Sequence, residues 1–286
     1  MIGRVHGWRD AAELFKLRLN TMAVLPVFCG YIVAGGTAGA MSLTVLLAGG
    51  LLAGFGASAL NQWSERRFDA RMLRTRDRPL ASGRLRMSSG LAIGLTLSAL
   101  GVGMIHVAFG WLAAGLTVAT VAVYWMIYTP MKQVTPWCTE VGALSGALPA
   151  LIGGAAGGAI ELPVWNLFAI VFLWQMPHFY PISWRYRADY ARGGFRMLSV
   201  VDPTGERAAT RALWYAVILV PVALAPWIWS GAGVAYGSVA ALLGVGYAGF
   251  AACFRFSVAR DRAAIWLFRY SLIYLPVLLL VLLWDR

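Results

Sequence analysis

The sequence predicts an all-α, polytopic membrane protein, and three observations lead there. Of 286 residues, 60% are hydrophobic and 13% charged, about half the charged share of a soluble domain. Uncharged runs of roughly twenty residues recur from end to end, the length a helix needs to cross a hydrocarbon layer. None of them shows the short alternating segments of a membrane β-barrel. In lipid every backbone N–H and C=O must bond inside its own segment, so the runs are helices.

Nine spans are expected, near 20–38, 42–62, 89–109, 111–129, 138–158, 163–183, 210–230, 234–254 and 264–284. The first follows "FKLRLN". The second is the uninterrupted "LTVLLAGGLLAGFGASAL". The connections near Gly39 and Gly110 are so short that the helices they join must run antiparallel and adjacent. The fifth holds "GALSGALPALIGGAAGGA", whose small residues allow close helix contact. The sixth carries Gln175 and His178 near one end. Long polar loops fall at about 63–88 and 184–209, four helices apart, a weak pseudo-repeat of two four-helix units plus a ninth helix. One membrane domain is expected over residues 1–286, with no soluble domain.

The formal net charge of +12 would suggest nucleic acid in a soluble chain; its distribution excludes that here. Arg4, Arg9, Lys16 and Arg18 precede the first span, and a second group runs from Arg66 to Arg86. Lys132 stands alone, and further groups run from Arg185 to Arg211 and from Arg255 to Arg269. The alternate connections, near Gly39, Gly110, Glu161 and Gly231, carry no Lys or Arg. Positive residues stay on the cytoplasmic side, which puts the N-terminus inside and, after nine crossings, Trp284–Arg286 outside. The first twenty residues have neither the apolar core of a signal peptide nor the character of a transit peptide, so a bacterial inner membrane is expected. Cys29, Cys138 and Cys253 are scattered, with no metal-ligand spacing.

The stretch "NQWSERRFDARMLRTRDRPL" directly follows the second span. If the helix continues, Asn61, Glu65 and Asp69 drift only about 40° per step and share one face. Three oxygen donors on one stripe suit a hard cation such as Mg²⁺, whose shell is completed by water and substrate phosphates. Arg67, Arg71, Arg74 and Arg78 lie on a nearly opposite face. A break before Pro79 could fold Arg74 and Arg78 back over the metal, where guanidinium forks match phosphate oxygens. Asp77 reads as a salt-bridge partner of these arginines. The plain alternative is a solvated helix end whose arginines only set orientation. In "WQMPHFYPISWRYRADYARGGFRMLSV", Asp189 is the only carboxylate. It is either a second acid completing a metal–diphosphate site or one member of an exposed salt-bridge cluster. In "YTPMKQVTPWCTE", Lys132 is a candidate phosphate contact, and Glu140 needs a partner, Lys132 or an arginine. His178 reads as an axial ligand, a proton acceptor or a hydrogen-bonded interior residue. His106 reads as structural and His6 as a surface residue.

These stretches resemble the UbiA superfamily of intramembrane prenyltransferases, in its heme branch, over roughly residues 14 to 205. The first looks like the branch pattern N-x-x-x-E-x-x-x-D-x-x-M-x-R-T-x-x-R-P-L. "YTPMKQVT" and "WQMPHF…DYARGGFRML" match its other two motifs, whereas quinone-type relatives carry N/D-D-x-x-D-x-x-x-D and D-x-x-x-D. The resemblance implies a UbiA-type bundle around a lateral, lipid-facing cavity. It implies transfer of farnesyl from farnesyl diphosphate to the 2-vinyl group of heme B, giving heme O and diphosphate. Asn61, Glu65, Asp69 and Asp189 would hold Mg²⁺, and Arg74, Arg78 and Lys132 the diphosphate. His178, Gln175, Tyr128 and Trp174 would contact heme or substrate, with Tyr124 and Trp125 as further π faces for the cation. Implied partners are farnesyl diphosphate, heme B, membrane lipid and a downstream heme-modifying enzyme or oxidase assembly factor. Two departures stand out: Arg185 lies where the general second motif has an acid four residues before Asp189, and Leu17 replaces a common proline. Competing readings are a quinone-precursor or chlorophyllide prenyltransferase and a transporter, which would place polar residues near mid-membrane in broken helices.

Overall fold

The computed structural model describes residues 7–37 and 39–285. The expectations for Arg4, His6 and Arg286, and the last residue of the first expected span, lie outside them. Among the described residues there is no strand, as the composition requires.

Helices α1 (Gly7–Leu14) and α2 (Leu17–Val33) meet at 45°. The bend falls at Lys16, the one described non-glycine residue with positive φ, at 46°. Helix α3 (Ala40–Asp69) runs unbroken for 30 residues, carrying the apolar second span straight into the acidic stripe. Helix α4 (Met87–Ala122) passes through a π-helical turn (Val123–Tyr128) into α5 (Thr129–Val134). Gly110, at φ 80° and ψ −172°, breaks α4, and the chain doubles back there. Gly56 of α3 abuts Ser98 in the first arm, while Ser64 accepts a hydrogen bond from Trp125 beyond the second. Then follow α6 (Cys138–Gly157), α7 (Leu162–Arg185), the short α8 (Arg187–Gly193) and α9 (Leu198–Val201), α10 (Glu206–Trp229), α11 (Val234–Phe256) and α12 (Arg260–Trp284).

By length and composition, six described helices can cross a membrane, or seven if α1 and α2 form one bent span. The nine spans expected from the sequence are therefore not confirmed. Two features separate the counts. Helix α4 holds two antiparallel arms in one element, and α7 is diluted by Asn166, Gln175, His178 and interior prolines.

Small residues set the closest helix contact. A Cβ on Gly153 of α6 would strike the Val27 carbonyl of α2, and one on Gly30 would strike the Ala150 carbonyl of α6. The glycine-rich run thus brings two backbones together, as read from the sequence. The larger core spans α6, α7 and α10 to α12, and a smaller one joins α2, α3, α4 and α6.

Candidate active site at the end of α3

The acidic stripe lies in the last two turns of α3 and faces inward: Asn61 is 0%, Glu65 3% and Asp69 1% exposed. Burying two carboxylates is costly unless cations accompany them. Each polar residue of the stripe has one cation, and the three cations come from three elements. Lys16, at the bend between α1 and α2, donates to Asn61 Oδ1 over 2.6 Å. Lys132 of α5 lies 2.8 Å from Glu65 Oε1, an ion pair. Arg78 donates to Asp69 Oδ2 over 2.8 Å. Three cations against two carboxylates leave a positive surplus that suits an anion.

Local sequence explains the return of Arg78. Helix α3 stops at Asp69, and Thr75 Oγ1 donates to the Asp69 carbonyl over 3.1 Å. Met72 is buried with Cys138, Phe195 and Met197, and Leu80 with Leu14 and Ala59. Two apolar anchors thus hold the polar loop in a tight turn. Arg84 fixes its far end by pairing with Asp10 of α1 over 2.8 Å.

Arg74 does not join the stripe. Its guanidinium lies over the rings of Tyr186 and Tyr190, 4.9 and 5.8 Å from their centroids. Asp189, in α8, accepts from the backbone N–H groups of Leu73 and Arg74 over 3.2 and 3.4 Å and from Arg192 over 3.0 Å. The two polar loops therefore lie on one side of the bundle and touch, with the Asp189 carboxylate turned to loop amides. Asp77 pairs loosely with Arg76 at 3.8 Å, both exposed.

The aromatic side of the site is built by the π-helical turn, a distortion common at functional sites. Tyr124 and Tyr128 stand 5.5 Å apart. Lys16 Nζ donates to the Tyr124 hydroxyl over 3.0 Å, and Lys132 Nζ lies 4.4 Å above the Tyr128 ring. Thr129 bridges the turn to the stripe by accepting from Asn61 Nδ2 over 2.9 Å. An open groove of about 300 Å³, lined by Trp63, Trp125 and Met126 among others, lies on the outer side of this turn.

His178 forms a separate cluster between α7 and α12. Its Nδ1 lies 2.7 Å from Ser271 Oγ, whose own proton goes to the Phe268 carbonyl over 2.5 Å. In the tautomer with the proton on Nδ1, His178 donates to Ser271 and its Nε2 lone pair is free, the arrangement that suits a metal ligand. Trp174 stacks on His178 at 4.8 Å and donates to the Ser271 carbonyl over 3.0 Å. Gln175 is turned the other way, its Nε2 donating to the Ala143 and Val171 carbonyls. Glu140 finds its partner in Arg211 at 2.7 Å and accepts from Tyr180 over 2.5 Å.

Three residues were not read from the sequence as site members. Lys16 counts there only as a topological charge, and with Arg18 two residues on nothing in its position set it apart. Thr129 and Ser271 carry no signal beyond their type. For a cation, the donor set is an amide and two carboxylates, with Asp69 Oδ1 buried and unpartnered. Among the described residues no group of three His, Cys, Asp or Glu side chains is placed to hold a metal by itself. The set therefore fits one hard ion completed by water and a bound phosphate group.

The profile of the UbiA prenyltransferase family matches residues 23–281. The chain is 39% identical to the protoheme IX farnesyltransferase of Solibacter usitatus, over 97% of this chain and 99% of that one. It is 38% identical to the protoheme IX farnesyltransferase of Opitutus terrae, over 97% and 94%. In fold it is similar to a digeranylgeranylglyceryl phosphate synthase in membranes, with a TM-score of 0.81 at 16% identity and 97% coverage of both chains. It is also similar to a UbiA homolog from Archaeoglobus fulgidus bound to GPP and Mg²⁺, with a TM-score of 0.68 at 14% identity over 96% of this chain and 99% of that one.

Proposed function

This chain belongs to the UbiA prenyltransferase family, and from that premise we propose that it transfers the farnesyl group of farnesyl diphosphate to the 2-vinyl group of heme B. Diphosphate leaves, and water completes the hydroxyethylfarnesyl side chain of heme O. One observation carries the reaction type: a buried stripe of three oxygen donors, each matched by a cation, at one end of an apolar helix bundle. The 39% identity to a protoheme IX farnesyltransferase along nearly the whole of both chains supports heme as the acceptor.

Breaking an allylic C–O bond leaves a carbocation and a diphosphate. Stabilising charge is therefore needed on the leaving group, and no strong protein nucleophile is required. Asn61, Glu65 and Asp69 would hold Mg²⁺, which when bound supplies Lewis-acid charge to the diphosphate oxygens. Lys132 and Arg78 lie beside those ligands and would follow the growing negative charge. Arg74 would reach the diphosphate by leaving its tyrosines. Asp189 serves here by fixing the loop that carries Arg74 and Arg78. The ring faces of Tyr124 and Tyr128 would shelter the cation and keep water from it. His178, with Trp174 and Gln175 on the same helix, is the proposed heme side, its Nε2 toward iron. The site is assigned to the cytoplasmic face of a bacterial inner membrane, because the arginine-rich loops gather there.

Purified protein supplied with Mg²⁺, farnesyl diphosphate and heme B tests the proposal by mass spectrometry of the extracted heme. The expected result is a mass gain of one hydroxyl-bearing farnesyl group, lost with EDTA and restored by Mg²⁺. Unchanged heme together with prenylation of a phenolic acid would move the chain to the quinone branch.

A further inference from the structure

We infer that Lys16 is a positioning residue that makes cation binding at Asn61 conditional on diphosphate; this rests on the metal–diphosphate reading above. The observation is the ammonium itself. It sits 2.6 Å from Asn61 Oδ1, on the oxygen that a hard cation would need, and 3.0 Å from the Tyr124 hydroxyl. Its backbone holds a left-handed conformation, at φ 46° and ψ 51°, which is unfavourable for a residue with a Cβ. Strain of this kind persists only where the surroundings over-determine it. Those surroundings are on both sides of the residue. Gln62 donates to the Glu13 and Leu14 carbonyls, and Asn20 donates to the Phe15 carbonyl over 2.6 Å. The chain is thus pinned to α3 before Lys16 and pinned to itself after it, and the side chain is delivered to Asn61.

A divalent ion that takes Asn61 Oδ1 must displace this ammonium. Without an anion, the displaced charge faces Lys132, Arg78 and the incoming cation, with the Tyr124 hydroxyl as its remaining hydrogen-bond partner and the nearby Glu65 carboxylate already paired with Lys132. With diphosphate present, phosphate oxygens replace Asn61 as its partner. Cation and diphosphate should then bind cooperatively, and the coupling should run through Lys16. The charge protects the site from idle loading by metal.

The test measures Mn²⁺ bound to the full chain in detergent by equilibrium dialysis, with and without inorganic pyrophosphate. Wild type should bind Mn²⁺ weakly alone and roughly tenfold or more tightly with pyrophosphate. Lys16→Gln keeps a donor for Asn61 and removes the charge. It should tighten Mn²⁺ alone by about tenfold and shrink the effect of pyrophosphate, while Lys16→Arg retains the coupling. Equal Mn²⁺ affinity in wild type and Lys16→Gln, alone and with pyrophosphate, overturns the inference and leaves the metal reading standing. Wild type that binds no Mn²⁺ under either condition takes both down. If Lys16→Gln does not survive purification, Tyr124→Phe, which removes the hydroxyl that the displaced ammonium would keep, should weaken Mn²⁺ binding alone and enlarge the effect of pyrophosphate; unchanged coupling there also overturns the inference.

Discussion

Two acid-bearing stretches lie on the same side of the bundle and differ in what surrounds their carboxylates. At the end of α3, Glu65 and Asp69 are buried in the last turns of a long rigid helix, each against one cation from elsewhere in the chain. In α8 and the segment after it, Asp189 and Asp202 accept from backbone N–H groups close by. A buried carboxylate held against a mobile side chain can exchange that partner for a metal and a phosphate. One held by backbone amides stabilises the loop that surrounds it. Residue type alone does not separate these jobs; the identity of the donor does.

The contrast predicts its own ranking of effects. The largest belongs to Asp69→Asn, which should lower farnesyl transfer by about a hundredfold or more while the melting temperature stays near wild type. Activity near wild type with Mg²⁺ present would remove α3 from the chemistry. Asp189→Asn keeps an acceptor for only one of the Leu73 and Arg74 N–H groups, which meet different oxygens of Asp189, and drops the charge that pairs with Arg192. A loss of about tenfold is expected, together with faster proteolysis of the 70–86 loop. A loss as deep as that of Asp69→Asn would erase the distinction between the two stretches and make Asp189 a metal ligand.

The smallest effect falls on Asp202. Burial pushes its carboxyl up. Hydrogen bonds from Thr204 and from the Arg207 N–H, at 2.6 and 2.8 Å, outweigh that and hold it below the usual carboxylate range. A depressed folded value stabilises the fold at a pH above the unfolded carboxylate value, about 3.9. The contribution disappears as pH falls through the folded value. Asp202→Ala should therefore cost about 1 kcal/mol near neutrality and progressively less on acidification below about pH 4, read as converging melting temperatures. Parallel curves at all pH values would mean that the charge of Asp202 does not cap α10.

Much of this was legible along the chain. The apolar runs, the clustering of basic residues and the four-residue spacing of Asn61, Glu65 and Asp69 are local patterns, fixed by helix geometry and the chemistry of lipid. The return of Arg78 was readable too, because Pro79 and the polar tract before it demand a break. Glu140 announced that it needed a cation and not which one; Arg211, on α10, became its partner only once α6 and α10 had both packed against α7. The count of spans was harder, since a single glycine at 110 both ends one arm and starts the next, and the polar residues of α7 weaken its apolar signal.

By itself, the sequence determined that the chain is helical, lies in a membrane and carries an acidic stripe on one face of α3. Each of these depends on neighbours within two or three turns, where hydropathy and helical spacing act. The tertiary structure decided which cation meets which oxygen, placing Lys16 on Asn61 across 45 positions and on Tyr124 across 108. A long flexible side chain has many reachable partners. Only the packing of whole helices, set by the sum of small apolar contacts, leaves it with one.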